Sequence, residues 1–186
     1  MAAVQDSPRW LTPPQTDAWI ALVATQVWLP AALDAQLQRD AGITFVEYQV
    51  LSWLSMQPGR VARMSEVAPL AHVSLSHLSR IVTRLEKRGW LRREPDPSDG
   101  RATLAILTDE GWDKVVATAP GHVEEVQRLV FDNLTDAQVR QLREIGERIL
   151  SAAKPDLVLP TMPPDHDDAP ADPAPDDPAQ DDAAQR

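Results

Sequence analysis

The chain has 186 residues, a length typical of one domain with or without a tail, and its formal net charge at pH 7 is −10. Hydrophobic residues make up 43% of the sequence and cysteine is absent, which excludes disulfides, thiolate catalysis and cysteine-based zinc sites. We find no apolar stretch of the roughly 20 residues that a membrane helix needs and no signal peptide. We therefore expect a cytoplasmic protein with no membrane partner.

The negative charge is concentrated near the C-terminus. The segment 155–186 holds nine aspartates, one arginine and eight of the 17 prolines, and without it the net charge is only −2. A segment this polar and rich in proline cannot form a packed core, so the sequence predicts a disordered acidic tail over 154–186. Two roles are open for this tail: a solubilising segment, or a polyanion that competes with DNA for the basic residues.

Two helices are predicted in the first third of the chain. Residues 1–15 contain three prolines and are expected to form an irregular arm. Apolar residues at helical spacing predict a long helix over 16–40, kinked at Pro30, and a second helix over 44–56.

A short helix over 65–71 and a longer helix from Ser74 to Gly89 are predicted next. Glycine is the residue that most often closes a helix in the left-handed conformation. The longer helix has one apolar stripe, which predicts its buried side, and an opposite side that is polar and basic. The apolar stripe consists of Leu75, Leu78, Ile81, Val82 and Leu85, and the polar side of Ser76, Arg80, Thr83, Arg84 and Lys87.

A basic β-hairpin and two more helices complete the prediction. Strands over 90–94 and 101–107 flank six residues rich in turn formers. Thr108 is expected to cap a helix that breaks at Pro120-Gly121 and ends near residue 133. A capping box at 135–138 then begins a last helix that continues to about residue 153.

A short helix, a turn, a polar-faced helix and a hairpin, in this order, are the layout of a helix-turn-helix followed by a wing. An α-helix with one polar side fits the major groove of DNA. Between Arg80 and Arg101 there are seven basic and four acidic residues, and this local charge of +3 suits phosphate binding.

The stretch from Met64 to Gly89 and the wing sequence DPSDGRA at 96–102, followed by LTDEG at 107–111, carry a family resemblance. Together they closely resemble the multiple-antibiotic-resistance-regulator (MarR-type) winged-helix family over roughly residues 16–153. The resemblance implies a mainly α fold with a small β-hairpin wing inside an all-helical dimerisation frame. The DNA-binding part would span about 44–107, and the dimerisation helices about 16–40 and 108–153.

The resemblance also implies a function. It indicates a sequence-specific transcriptional regulator: a homodimeric repressor of a pseudo-palindromic operator in double-stranded DNA, released by a small aromatic or phenolic effector. Each subunit would place one helix in the major groove and one wing in the minor groove. The residues implied at the DNA are Ser74, Ser76, His77, Arg80, Thr83, Arg84, Asp99 and Arg101. Asp99 is expected to hold the Arg101 guanidinium.

Other roles are weighed beside this one. The alternative function is a winged-helix protein-interaction module without a DNA-binding role. Trp19, Trp28 and Trp53 lie on helices that line the ligand cleft in the resembled family, and each is a candidate either for ligand binding or for the core. The four histidines are scattered and no catalytic constellation is visible, so we expect no metal, no cofactor and no enzymatic activity.

Overall fold

The computed structural model describes residues 8–157. This part of the chain contains, in order, α1 (Pro13–Ala41), α2 (Phe45–Ser55), β1 (Val61–Arg63), α3 (Met64–Leu70), α4 (Leu75–Lys87), β2 (Leu91–Asp96), β3 (Asp99–Leu107), α5 (Asp109–Leu129) and α6 (Asp136–Ala153). The expected mainly α fold with a small β wing is thereby confirmed. The chain separates into a first unit that ends at Val139 and a second that begins at Arg140, within α6. Most of the acidic tail lies outside the described residues, so its predicted disorder stays a prediction.

The first helix begins earlier than the sequence predicts. The amide of Thr12 donates to Oε1 of Gln15 (2.9 Å), and Pro13 and Pro14 occupy the first turn of α1. Proline is accepted there because an amide in the first turn has no partner within the helix. These prolines therefore start the helix and do not extend the irregular arm, and α1 continues through Pro30.

The N-terminal half of α1 is largely exposed to solvent in the single chain. Its exposed large apolar side chains are Trp19, Ile20, Val23, Val27 and Trp28, whereas Leu33 and Leu37 in the second half are buried. By length and composition α1 is apolar enough to cross a membrane, which corrects the expectation that the chain lacks such a stretch. Length and composition do not distinguish a membrane helix from an apolar helix that packs against protein.

The helices α2, α3 and α4 share one hydrophobic core with the sheet. Its members include Val50, Leu51, Leu54, Val67, Leu78, Ile81, Val82, Leu85, Leu91 and Leu107. Thr44 caps α2: its Oγ1 accepts the Glu47 amide at 3.2 Å, and Oε2 of Glu47 accepts the Thr44 amide at 3.0 Å. α3 is short, and Pro69 lies in its last turn, where few helical hydrogen bonds are lost.

Four of the five residues in the predicted apolar stripe of α4 are at most 1% exposed, but Leu75 is 52% exposed. Leu75 is the first helical residue, directly after the cap, and the body of the core lies further along the helix. Ser74 forms that cap by accepting the His77 amide at 3.2 Å. Gly89 follows the helix with φ 76°, as the sequence predicts.

The three strands form an antiparallel sheet in the order β1-β3-β2. β1 was not predicted, since three residues carry too little pattern; it pairs with β3, with Val61 opposite Ile106. The strands of the wing are longer than predicted, and only Pro97 and Ser98 separate them. Pro95 is accepted in β2 because β2 is an edge strand.

The helix α5 is continuous through Pro120-Gly121, which corrects the predicted break. It packs against α1 and α2, and this packing outweighs the single amide that Pro120 lacks. The expected end near residue 133 is a separate 3-10 turn over Phe131–Asn133. The predicted capping box is confirmed, since the Thr135 amide donates to Oε1 of Gln138 at 2.9 Å.

Candidate nucleic-acid interface

The polar side of α4 faces away from the core. Ser74, Ser76, His77, Arg80 and Arg84 are exposed, and Thr83 is half-buried. The structure therefore brings all six predicted α4 residues to the outer side of this helix and its cap. The Ser74 hydroxyl is already engaged, since it accepts the His77 amide and shares a hydrogen bond with the Ser76 hydroxyl (3.1 Å).

Arg84 is tied to the neighbouring helix α2. Its Nε donates to Oε1 of Glu47 at 2.9 Å, and Glu47 is only 4% exposed. Burial raises the pKa of Glu47, but the Thr44 amide and then the Arg84 guanidinium outweigh it, so this pKa lies below its ordinary value. Glu47 is thus a charged carboxylate beneath the candidate interface, and its role was missed because residues 37 apart in the chain give no local signal.

The tip of the wing is held by an ion pair that the sequence did not reveal. Nε of Arg63 donates to Oδ2 of Asp96 (2.7 Å) and Nη2 donates to the Ser98 hydroxyl (3.1 Å). The hydroxyl and the amide of Ser98 both donate to Oδ1 of Asp96. These two Ser98 bonds, followed by Arg63, lower the pKa of Asp96 to about 2, although burial opposes them. Asp96 belongs to the recognised wing sequence, but nothing in the sequence marks Arg63 as its partner.

Asp99 has a different partner from the expected one. Its Oδ1 accepts the backbone amide of Arg101 at 3.0 Å. Among the contacts of residues 8–157, no ion pair joins the Asp99 carboxylate to the Arg101 guanidinium. Asp99 orders the backbone at the start of β3, and the ion pair of the wing is formed by Arg63 and Asp96.

A second link joins the wing to α4. Arg93 on β2 forms an ion pair with Glu86, and its Nη2 also donates to the Thr83 hydroxyl at 3.2 Å. The amide of Arg93 donates to the same Glu86 carboxylate (3.0 Å). Because Thr83 and Glu86 lie on α4, this arginine fixes the wing strand against the predicted DNA-reading helix.

The basic residues between 80 and 101 divide into paired and free groups. Arg84 pairs with Glu47, Arg88 with the carbonyl of Gly42, Arg92 with Glu94 and Arg93 with Glu86. In the part of the chain that the structure describes, the side chains of Arg80, Lys87 and Arg101 make no hydrogen bond or ion pair. Within residues 8–157, these three exposed cations can therefore bind phosphates through the whole of their charged group without breaking a contact.

A groove of about 330 Å³ joins α4 to the wing. Its lining includes Leu75 and Ser79 from α4, Arg93 from β2, and Asp99 and Arg101 from β3. The predicted wing residues Asp99 and Arg101 therefore border this groove, whereas its α4 side is formed by Leu75 and Ser79 and not by the predicted DNA-contact residues of that helix. The groove shows that the start of α4 and the wing lie side by side.

Neither of the two grooves described within residues 8–157 is lined by the tryptophan candidates for ligand binding. Trp19 and Trp28 are exposed on α1, and Trp53 is half-buried on α2. A second groove, of about 700 Å³, is lined by Arg60, Trp112 and neighbours but by none of these three tryptophans. Within residues 8–157, no group of three or more His, Asp or Glu side chains is placed to hold a metal ion. The ligand-binding role of the tryptophans stays a prediction.

The fold and this basic face define a winged helix-turn-helix protein. The MarR family model matches residues 41–102. The chain is similar to Sco3205, a MarR family transcriptional regulator from Streptomyces coelicolor whose crystal structure was determined in complex with DNA. The two sequences are 46% identical, the match covers 81% of this chain and 94% of that chain, and the TM-score is 0.77. AbsC, a MarR family regulator from the same organism, is 32% identical, with 80% and 99% covered and a TM-score of 0.74.

A curated relative agrees with these structures. The HTH-type transcriptional repressor IacR from Pseudomonas putida is 32% identical over 95 residues, which are 51% of this chain and 56% of that protein. The chain belongs to the MarR family of transcriptional regulators.

Proposed function

We propose that this protein is a sequence-specific regulator that binds double-stranded DNA in the cytoplasm as a homodimeric repressor and has no enzymatic activity. The observation that carries the proposal is a set of three exposed cations that have no hydrogen bond or ion pair within residues 8–157: Arg80 and Lys87 on α4, and Arg101 on the wing. Cations on a helix that fits the major groove can neutralise the phosphates on either side of it. The DNA-bound state of Sco3205, whose fold this chain shares, supports the same function.

The homodimer is supported by the apolar surface that the single chain leaves uncovered. Ile20, Val23 and Val27 are exposed on α1, and Leu142, Ile145 and Ile149 are exposed on α6. Exposed apolar side chains in this number indicate an interface. A two-fold dimer would present two copies of α4 to one duplex and would read a pseudo-palindrome with half-sites about one helical turn apart.

An effector completes the proposal. In the resembled family a small aromatic or phenolic molecule releases the DNA, and Trp53 on α2 is the most enclosed of the three tryptophan candidates. An aromatic ring stacks favourably on an indole, and α2 contacts both α1 and α5. Binding beside α2 would therefore act on the helices that connect the predicted dimerisation and DNA-binding parts.

Selection from a random-sequence DNA library tests this function. The full-length protein should retain duplexes that share a pseudo-palindromic motif, and gel shifts over a salt series should show tighter binding to that motif than to a scrambled duplex. The affinity should fall as salt rises, because bound cations displace counterions from phosphates. Retention of unrelated sequences with equal affinity would reject sequence-specific binding, and no DNA binding at any salt concentration would favour the protein-interaction module.

A further inference from the structure

Glu47 combines deep burial with two charged or polar partners. It is 4% exposed; its Oε2 accepts the Thr44 amide at 3.0 Å and its Oε1 accepts Nε of Arg84 at 2.9 Å. The first contact caps α2 and is local, whereas the second crosses to α4. A capping box needs only one acceptor oxygen from the residue at this position, and glutamine supplies it as well as glutamate does. The second oxygen and the negative charge therefore serve Arg84.

The contact to Glu47 restricts how Arg84 is presented. Nε is occupied on the side of α2, while half of the arginine side chain (52%) stays exposed on the outer side of α4. A free arginine must lose the freedom of several side-chain torsions when it binds, and a guanidinium already held by one nitrogen has lost much of it. One turn further along α4, Arg88 donates to the Gly42 carbonyl at 3.0 Å, so this part of the helix is fastened to the α1–α2 junction at two points.

We infer that Glu47 is a positioning residue for DNA recognition, which holds the Arg84 guanidinium so that its terminal nitrogens face the duplex. This inference rests on the proposed DNA-binding function. Because the buried carboxylate offsets the charge of Arg84, the pair contributes little net charge to the DNA-facing side of α4. Its contribution is a guanidinium that is held in one orientation. Non-specific affinity follows the number of phosphates neutralised, whereas specific affinity also requires groups held in register with the bases. Glu47 should therefore favour specific binding over non-specific binding.

The variant Glu47→Gln separates the two roles of this side chain. The glutamine oxygen can still accept the Thr44 amide, so α2 stays capped. The glutamine NH₂ group cannot accept a hydrogen bond from Arg84, so the guanidinium is released. Glu66→Gln is the matched control: Glu66 occupies the capping position of α3, where its Oε2 accepts the Arg63 amide at 3.1 Å, and its replacement makes the same change in charge.

The test measures Kd for two duplexes: the one that the wild-type protein selects from a random library, and a scrambled duplex of equal length and composition. Glu47→Gln should bind the selected duplex about tenfold more weakly, a loss typical of one arginine contact, and should bind the scrambled duplex equally or more tightly. Arg84→Lys should show the same selective loss, because lysine lacks the fork of the guanidinium. The double variant should lose no more than either single variant. Glu66→Gln should shift both affinities together.

The outcomes separate this inference from the proposed function. Equal weakening of both duplexes by Glu47→Gln, with a lowered melting temperature, would make Glu47 a structural residue and overturn the inference. Unchanged affinity for the selected duplex would overturn it too, and so would additive losses in the double variant. In each of these cases the wild-type protein still prefers the selected duplex, and the proposed function stands. A wild-type protein that does not distinguish the two duplexes rejects both.

Discussion

Nε of Arg63 and Oδ2 of Asp96 are 2.7 Å apart, and this ion pair fastens the tip of the wing to the junction of β1 and α3. Asp96 is 7% exposed at the last position of β2, and Arg63 is the last residue of β1. The wing is joined to the rest of the domain along β3 and, on β2, through Arg93 to α4. Its tip is held at the Asp96 carboxylate, which accepts hydrogen bonds from Arg63 and from Ser98. The position of the wing tip therefore depends on a charged Asp96.

Acid should release the tip of the wing. The pKa of Asp96 is about 2 in the folded protein, below its ordinary value of 3.8. A carboxyl group with a depressed pKa stabilises the fold fully above its unfolded value, and this contribution is lost as the pH falls from about 4 towards 2. Carboxyl-carbon NMR titration should give a midpoint near 2 for Asp96, and Asp96→Asn should broaden the amide signals of the wing at neutral pH. A midpoint near 4 would show that the contacts of Asp96 with Ser98 and Arg63 do not persist in solution.

Arg101→Ala should weaken specific DNA binding. Its side chain makes no hydrogen bond or ion pair with the described part of the chain and borders the groove between α4 and the wing. An arginine in a narrow minor groove reads sequence-dependent DNA shape. We expect a loss of about 1–3 kcal/mol per site and a reduction of the salt slope by about 1. Arg92→Ala is the matched control on the opposite wing strand, where the guanidinium already pairs with Glu94; it should cost less. Equal Kd values for wild type and Arg101→Ala at fixed salt, with native circular dichroism, would contradict the assignment.

Gly111→Ala should destabilise the domain. A Cβ at this position would overlap the carbonyl oxygen of Trp90 and lie 2.7 Å from Cδ1 of Leu107. Neither the backbone of Trp90 nor the buried Leu107 can move freely, so we expect a loss of about 3 kcal/mol in the free energy of unfolding. Gly121→Ala lies in the same helix, where the added methyl group meets only Nε2 of Gln36 at 3.7 Å, and should stabilise by about 0.5–1 kcal/mol. Urea unfolding at one fixed protein concentration compares them, and equal stability of the two variants would refute the close approach.

Ile20→Asp should separate the two chains of the proposed dimer. Ile20 is exposed on α1 in the single chain, and a carboxylate placed in an apolar interface without a partner is costly. The dimer dissociation constant from sedimentation velocity should rise by more than about tenfold. Gln26→Asp adds the same charge at an exposed position of α1 and removes no apolar side chain, so it should leave the constant nearly unchanged. A wild-type protein that sediments as a monomer at micromolar concentration would reject the dimer itself.

Features that depend on neighbours within four residues were determined by the sequence. Thr44, Thr108 and Thr135 each cap the helix that follows, through contacts to residues three positions away. The apolar stripe of α4 could also be predicted from local sequence, because helical periodicity alone sets which side chains share a face. The family of the chain was also recognisable from the sequence, because its wing is one short contiguous segment.

Only the tertiary structure decided which cations are free and which are held. Nothing in the local sequence distinguishes Arg84, Arg93 and Arg101 from one another. Arg84 and Arg93 nevertheless bind carboxylates on α2 and α4, whereas the Arg101 side chain binds none within residues 8–157. Glu47 lies 37 residues before Arg84, and Arg63 lies 33 residues before Asp96. Such partners meet because α2 and α4 share one hydrophobic core and because β1 and β2 both pair with β3. A desolvated carboxylate then requires a donor. The sequence by itself determined the winged-helix scaffold and its basic side, and the packing determined which of the basic side chains are held by a carboxylate and which are not.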